Sequence, residues 1–365
     1  MLFYPLLVIF AFGISLCCST NLNTKQPKRL DHVSVGPLIG VKSVAKRFLR
    51  SDAHKQDNIV AGHYNSEERA GIPGVTKLDE LAYKLALKLK LDPMKIFPRL
   101  RVVKNGGKLN KNKDFMLWLL YVNNYRAKRG GESWFSDNKL FDLLRKVRSE
   151  EELVILFQSL RKYPAIKNLA DEMQAYMILS SASSHKLVNE AWLKSRESPL
   201  HVFESMRLGD ETLESFASSP LFIQWLRYIK VYKVVVESES FSDLETLKFL
   251  IKAKPFVIEA EFGTLFQSIK NIPDLESFAK NLQTHLYQKW MNDNKLSPKE
   301  LASLLGIPYS IDFTRLPKSD PMYRNLEAYT VYVAERQGGK AMLTTVEKLF
   351  ADNDVYAALA AVSKA

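Results

Sequence analysis

Three copies of one short step organise this chain. They read Leu91-Asp92-Pro93-Met94-Lys95-Ile96-Phe97, Glu197-Ser198-Pro199-Leu200-His201-Val202-Phe203 and Leu296-Ser297-Pro298-Lys299-Glu300-Leu301, with the prolines 106 and 99 residues apart. Each copy sets Asp or Ser where a helix N-cap belongs and Pro directly after it. The cap oxygen accepts an orphan backbone amide, and Pro at the first helical position has no amide to leave unpaired while its fixed φ suits the first turn. Glu300 adds the reciprocal partner of a capping box. Units that repeat in tandem this way form an array in which each buries part of its surface against the next.

A second element confirms the period. Asn112-Lys113-Asp114 leads into Phe115, Trp118, Tyr121 and Tyr125, and Ser219-Pro220 leads into Phe222, Trp225, Tyr228 and Tyr232 at one common offset. In the third copy, after Asp320-Pro321, Leu326 stands for the Trp and Tyr329 remains. At this spacing the rings share one helix face, which predicts a buried aromatic stripe of Phe115, Trp118, Tyr121, Phe222, Trp225, Tyr228, Leu326 and Tyr329. A third element pairs Leu156-Phe157-Gln158-Ser159-Leu160 with Leu265-Phe266-Gln267-Ser268-Ile269 and runs on, without a gap, to Gln174 and Gln283. Helical stripes also occur at Leu78, Leu81, Leu85 and Leu89, and at Leu140, Phe141, Leu144 and Val147. The expected fold is all-α: an elongated tandem array of units over 77–184, 185–284 and 285–365, the last short and degenerate, with an Ala-rich packing helix near 357–361.

The first 76 residues read differently. Leu2 to Leu16 form an apolar run followed by Cys17-Cys18-Ser19-Thr20, which predicts a secretory signal peptide over 1–20. About 15 apolar residues fall short of the roughly 20 a membrane span needs. Both cysteines lie in this removable segment, so the exported protein has no disulfide and depends on its apolar core. Residues 21–76 lose all apolar periodicity and read as a disordered leader. It carries Arg47-Phe48-Leu49-Arg50 and then Glu67-Glu68-Arg69.

Little in the sequence supports catalysis. No cysteine survives processing, no His-Glu-x-x-His or phosphate-binding glycine loop occurs, and the acidic residues have the density of solvated helix faces. No metal or cofactor is called for. The formal net charge is +12, and residues 77–113 hold 11 Lys or Arg against Asp79, Glu80 and Asp92. Such a stretch can meet phosphates, but it lacks the interleaved aromatics that stack single-stranded bases; its end, Lys104 to Lys113, reads as a flexible loop.

Taken together, Arg47-Phe48-Leu49-Arg50, Glu67-Glu68-Arg69 and the repeated Pro and Trp/Tyr elements make the chain resemble the oomycete, Phytophthora-type RxLR effectors with tandem WY or LWY repeats. The resemblance implies secretion, a leader motif of Arg47, Phe48, Leu49, Arg50, Glu67, Glu68 and Arg69 used in processing or translocation, and delivery into the cytoplasm or nucleus of a host plant cell. It implies a non-enzymatic virulence protein that suppresses immunity by binding host proteins. Some members recruit the scaffold subunit of protein phosphatase 2A, which makes that subunit a candidate partner. Small-molecule cofactors and stable membrane insertion are not expected. Two alternatives remain open at this stage: an autophagy-protein binder using Tyr356-Ala357-Ala358-Leu359 as an added strand, and a nucleic-acid or phospholipid binder using residues 77–113, which would bind with strong salt dependence.

Overall fold

The computed structural model describes residues 77–363 apart from 101–108, 130–133, 237–240 and 308–316, and every regular element among the described residues is helical. The signal segment, the leader with Arg47–Arg50 and Glu67–Arg69, and the first half of the 104–113 loop lie outside the described residues; its second half is ordered, Leu109–Lys111 forming a 3-10 turn with Leu109 buried and Lys113 opening a helix. In chain order the α-helices are α1 Lys77–Lys88, α2 Pro93–Ile96, α3 Lys113–Arg129, α4 Asp137–Arg145, α5 Glu150–Leu160, α6 Pro164–Ser180, α7 Ala182–Lys194 and α8 Pro199–Ser205. They continue as α9 Leu213–Phe216, α10 Pro220–Val236, α11 Asp243–Ala253, α12 Glu259–Ile269, α13 Glu276–Asn292, α14 Pro298–Leu304, α15 Pro321–Ala351 and α16 Val355–Val362.

The Pro steps start α2, α8 and α14. Asp92 accepts the Met94 amide at 2.9 Å, Ser198 accepts the His201 amide at 3.2 Å, and Ser297 and Glu300 close a full capping box. The helix ahead of each step is stopped in the same way each time. Lys90, Arg196 and Lys295 take φ of 58°, 53° and 50°, each two residues before the cap. That left-handed turn lets the next amide reach far back into the finished helix, Leu91 to Ala86 at 3.2 Å, Glu197 to Trp192 at 2.9 Å and Leu296 to Trp290 at 2.9 Å, so otherwise orphaned carbonyls are paired.

Three features differ from the sequence reading. The cuts after 184 and 284 fall inside α7 and α13, because the polar surface residues there carry no break in helical hydrogen bonding. In α13 one helix serves two units: Gln283 faces α12 while Tyr287 and Trp290 pack on Tyr329. Of the first leucine stripe, Leu81, Leu85 and Leu89 are exposed, and Ala86, Tyr83 and Leu87 meet the core instead. A helix with apolar residues on two faces does not reveal by periodicity which face is covered. Finally, α15 is a hairpin. Its 31 residues would span about 46 Å if straight, yet Tyr323 near one end stands 6.1 Å from Phe350 near the other. The chain reverses at Gly339, whose φ of 65° and ψ of −160° suit glycine alone.

The close approach of α12 to α15 rests on another glycine. A Cβ on Gly263 would lie closer than 3.0 Å to the side chain of Asn325, which is fully buried and bonded to Ala260 O at 3.2 Å and to the Tyr287 hydroxyl at 2.9 Å. Gly to Ala inside a helix ordinarily gains about 0.5–1 kcal/mol. Here the overpacking displaces Asn325, and Gly263→Ala is expected to destabilise by about 1–3 kcal/mol in urea unfolding; parent-like or greater stability would contradict this contact.

Candidate interaction surface

The stripe residues occupy the core: Phe115, Phe222, Trp225, Tyr228, Leu326 and Tyr329 have no exposure, and Trp118 and Tyr121 are at most 3% exposed. What holds each stripe is its own Pro step. The hydroxyls of Tyr121, Tyr228 and Tyr329 donate to the carbonyls of Leu91, Glu197 and Leu296, each at 2.5 Å, and these are the residues directly before each cap. Trp118 Nε1 donates to Pro93 O at 3.1 Å and Trp225 Nε1 to Pro199 O at 2.8 Å. Leu326 has no such donor, so the third unit keeps the Tyr bond and loses the Trp bond. The ring geometry repeats as well: Phe115–Trp118 and Phe222–Trp225 are 5.9 and 5.6 Å apart, both inclined at 32°.

Sequence reading missed a third aromatic in each unit. Tyr83, Trp192 and Trp290 set their edges against Tyr121, Tyr228 and Tyr329 at 6.1, 5.2 and 5.2 Å, with interplanar angles of 89°, 77° and 88°. Their common signal is a large aromatic six to nine residues before each cap, blurred by a varying distance.

Burial of these phenols raises their pKa. Tyr228, Tyr287 and Tyr329 are pushed well above the ordinary value near 10, and Tyr323 is pushed up to about 12, in each case chiefly by burial. A phenol whose folded pKa is raised contributes stability that is fully present below its unfolded pKa and is lost as pH rises through the folded value. Alkaline titration is therefore expected to show far-UV helix loss above pH about 10, in step with phenolate absorbance from the buried tyrosines. Ionisation of all tyrosines at pH about 10 with intact helix would contradict their burial.

Between the first and second units lies the densest polar cluster. Arg161, at the end of α5 and 7% exposed, donates through Nε to Asp171 at 2.6 Å and through Nη2 to Ser205 at 2.6 Å, and its Nη1 is 3.0 Å from Glu197. Gln158 donates to Glu197 at 3.0 Å and accepts from Gln174, whose carbonyl accepts Trp192 Nε1 at 3.0 Å. The cluster floors an open groove of about 670 Å³ rimmed by Lys167, His201 and Arg207. All three nitrogens of the Arg161 guanidinium are engaged, so the cluster forms a fixed joint at the floor of the groove.

The second joint is built from different residues. Gln267 donates to Arg324 O at 2.7 Å, and Asn325 sits against Gly263. The difference follows from an extra helix. Residues Gln174 and Trp192 lie on α6 and α7, whereas their counterparts Gln283 and Trp290 share the single α13.

His201 takes the third position of α8 and is exposed. Tyr356–Leu359 lies in α16 with Leu359 buried and Tyr356 exposed, so strand addition there requires α16 to unwind. Within the basic stretch, Lys113 pairs with Asp79 at 2.6 Å. Among the described residues there is no group of three or more metal-ligating side chains, and no helix is long and apolar enough to cross a membrane.

Comparison with known proteins places this architecture. The RXLR phytopathogen effector protein WY-domain family matches residues 124–175 and 232–284, and the WY-domain of effector PexRD54 matches residues 187–229. The chain is 36% identical over 279 residues to RxLR effector protein PexRD18 of Phytophthora infestans, covering 76% of this chain and 57% of that protein. It is 35% identical over 198 residues to RxLR effector protein 54 of the same organism, covering 52% of each. The chain thus spans just over half the length of these relatives. The crystal structure of RXLR effector PexRD54 from P. infestans matches over 71% of this chain and 93% of its own at 23% identity and a TM-score of 0.26. With WY domains matched over three successive stretches and RxLR effectors matched over most of its length, the chain belongs to the RxLR effectors with tandem WY domains.

Proposed function

We propose that this effector acts inside the host plant cell, in cytoplasm or nucleus, by binding host proteins through the outer face of its stacked units, and that it does so without catalysis. Membership of the RxLR effectors supplies the effector role; the mode of action is the proposal. The observation that carries it is the pair of buried polar joints, Arg161 with Asp171, Glu197 and Ser205, and Gln267 with Arg324 O together with Asn325 and Ala260 O. They join successive units and leave their exposed helix faces for a partner. The scaffold subunit of protein phosphatase 2A is the specific partner proposed, on the strength of the repeat type. The leader, with Arg47–Arg50 and Glu67–Arg69, is proposed to serve delivery alone, and the three units over 77–184, 185–284 and 285–365 to carry the activity.

The test is affinity purification of the chain from residue 21 out of plant cells, read by mass spectrometry, with calorimetry on the purified scaffold subunit alongside. Enrichment of host proteins over a tag-only control is expected, with the scaffold subunit among them and binding it directly. No enrichment overturns host-protein binding. Enrichment without binding of the purified scaffold subunit removes that partner alone.

A further inference from the structure

The second unit departs from the first at the start of α12, and the departure costs it a helix cap. At the offset of 109 residues that aligns Leu265-Phe266-Gln267 with Leu156-Phe157-Gln158, Phe256 falls on Val147 and Ile258 on Ser149. In the first unit Val147 is half-buried against the core, and Ser149 caps α5 in a complete capping box with Glu152. In the second unit Phe256 is 99% exposed, Ile258 is 49% exposed, and α12 begins with no side-chain cap. Exchanging a serine cap for an aliphatic residue forgoes about 0.5–2 kcal/mol. Neither Phe256 nor Ile258 recovers it by burial, since both are exposed.

The turn that displays the ring is nevertheless anchored. Lys254, the residue two before it, is 8% exposed, whereas its counterpart Arg145 is exposed. Lys254 Nζ donates to the carbonyls of Leu208 at 3.1 Å, Gly209 at 2.7 Å and Glu211, and lies 5.0 Å from the centre of the Phe216 ring. One root of the turn is thereby tied to the 208–211 turn and to α9. With the backbone beneath it held, the ring has only its two side-chain torsions to order on binding, which lowers the cost of using it as an anchor. The surroundings are acidic in a chain of net charge +12. Asp210, Glu214 and Glu261 are exposed on the anchoring turn, on α9 and on α12, against Lys252 on the approach to the turn.

We infer that Phe256, flanked by Ile258, is the apolar anchor by which the second unit docks into a pocket of a folded host protein whose rim is basic. The inference rests on the host-protein binding proposed above and names its surface. Its ring enters the pocket, Ile258 covers the pocket's edge, and Asp210, Glu214 and Glu261 meet Lys or Arg around it.

The test compares the chain from residue 21 with Phe256→Ser and with the charge reversal Glu214→Lys/Glu261→Lys, which leaves Asp210 beside Lys254. Host proteins enriched from plant cells by the parent are quantified on each variant, and the most enriched is purified and titrated against all three. The expected result is a loss of affinity of at least about 10-fold for Phe256→Ser, a smaller loss with weakened salt dependence for the charge reversal, and an unchanged melting temperature for both. Ile258→Ser is a second check: it restores the cap, so the melting temperature should rise while affinity falls. Equal retention of the host protein by parent and Phe256→Ser overturns the inference and leaves the binding proposal standing, whereas a parent that enriches no host protein overturns both. A parent dimer that Phe256→Ser converts to monomer, with host binding intact, assigns the ring to a second copy of the chain and likewise overturns it.

Discussion

Replacing Trp225 by Ala is expected to cost about 3–5 kcal/mol, the range for deleting a buried large aromatic. The indole has no exposure and touches the rings of Phe203, Phe222 and Phe249 at 5.0, 5.6 and 6.0 Å. Its removal opens a cavity among stiff rings that cannot collapse into it, and it strips Pro199 O of its donor. For a chain of this size the melting temperature should fall on the order of 10 °C. Trp225→Phe separates the two effects: it refills most of the volume and leaves the carbonyl unpaired, for about 1–3 kcal/mol. Trp118, with the same bond to Pro93 and the same Phe neighbour, should behave alike. Thermal unfolding by circular dichroism decides the matter, and a Trp225→Ala protein that melts with the parent would remove the stripe from the core.

Arg161→Ala is expected to cost about 3–5 kcal/mol, because it breaks a buried pair by removing one partner. Asp171, 6% exposed, and the partly buried Glu197 lose their shared cation, although Lys167 stays 2.8 Å from Asp171 and keeps the loss toward the lower end. The size of the effect reflects the charges left behind more than the worth of the bridge. Arg161→Leu combined with Asp171→Leu should therefore recover much of the stability, since exchanging a buried ion pair for apolar residues is often close to neutral. Because Arg161 reaches across to Ser205 and Glu197 from α5, the single variant should also loosen the first unit from the second. Urea unfolding is expected to broaden or divide in Arg161→Ala and also in the double variant, which regains stability in the first unit but lacks the same contacts to Ser205 and Glu197.

How far the sequence discloses this depends on how local each device is. The Pro steps are legible because cap and proline act within three residues, and the aromatic stripes because helix geometry fixes their spacing. The bonds that lock stripe to step, Tyr228 to Glu197 and Trp225 to Pro199, join residues 31 and 26 apart and have no local signature. Arg161 is invisible for the same reason. It looks like any basic residue at a helix end until α8 brings Ser205 to it from 44 residues away. Leu81, Leu85 and Leu89 mislead because α1 is apolar on two faces and only the tertiary fold chooses between them. Phe256 is a different case. Aligning the chain with its own repeat exposes the lost serine cap at Ile258, but only the fold shows that the aromatic beside it faces solvent.

The central claim is that the described units form one stacked body whose joints are as firm as its cores. Urea unfolding of a Trp134→Phe chain from residue 21 tests it most directly, the substitution removing the one half-exposed tryptophan, followed together by far-UV circular dichroism and by the fluorescence of Trp118, Trp192, Trp225 and Trp290, which are distributed along the array and no more than 2% exposed. Joints of this kind predict a single transition in which the two signals coincide. Two resolved transitions in that chain, with helix lost in one unit while tryptophans elsewhere stay buried, would contradict it.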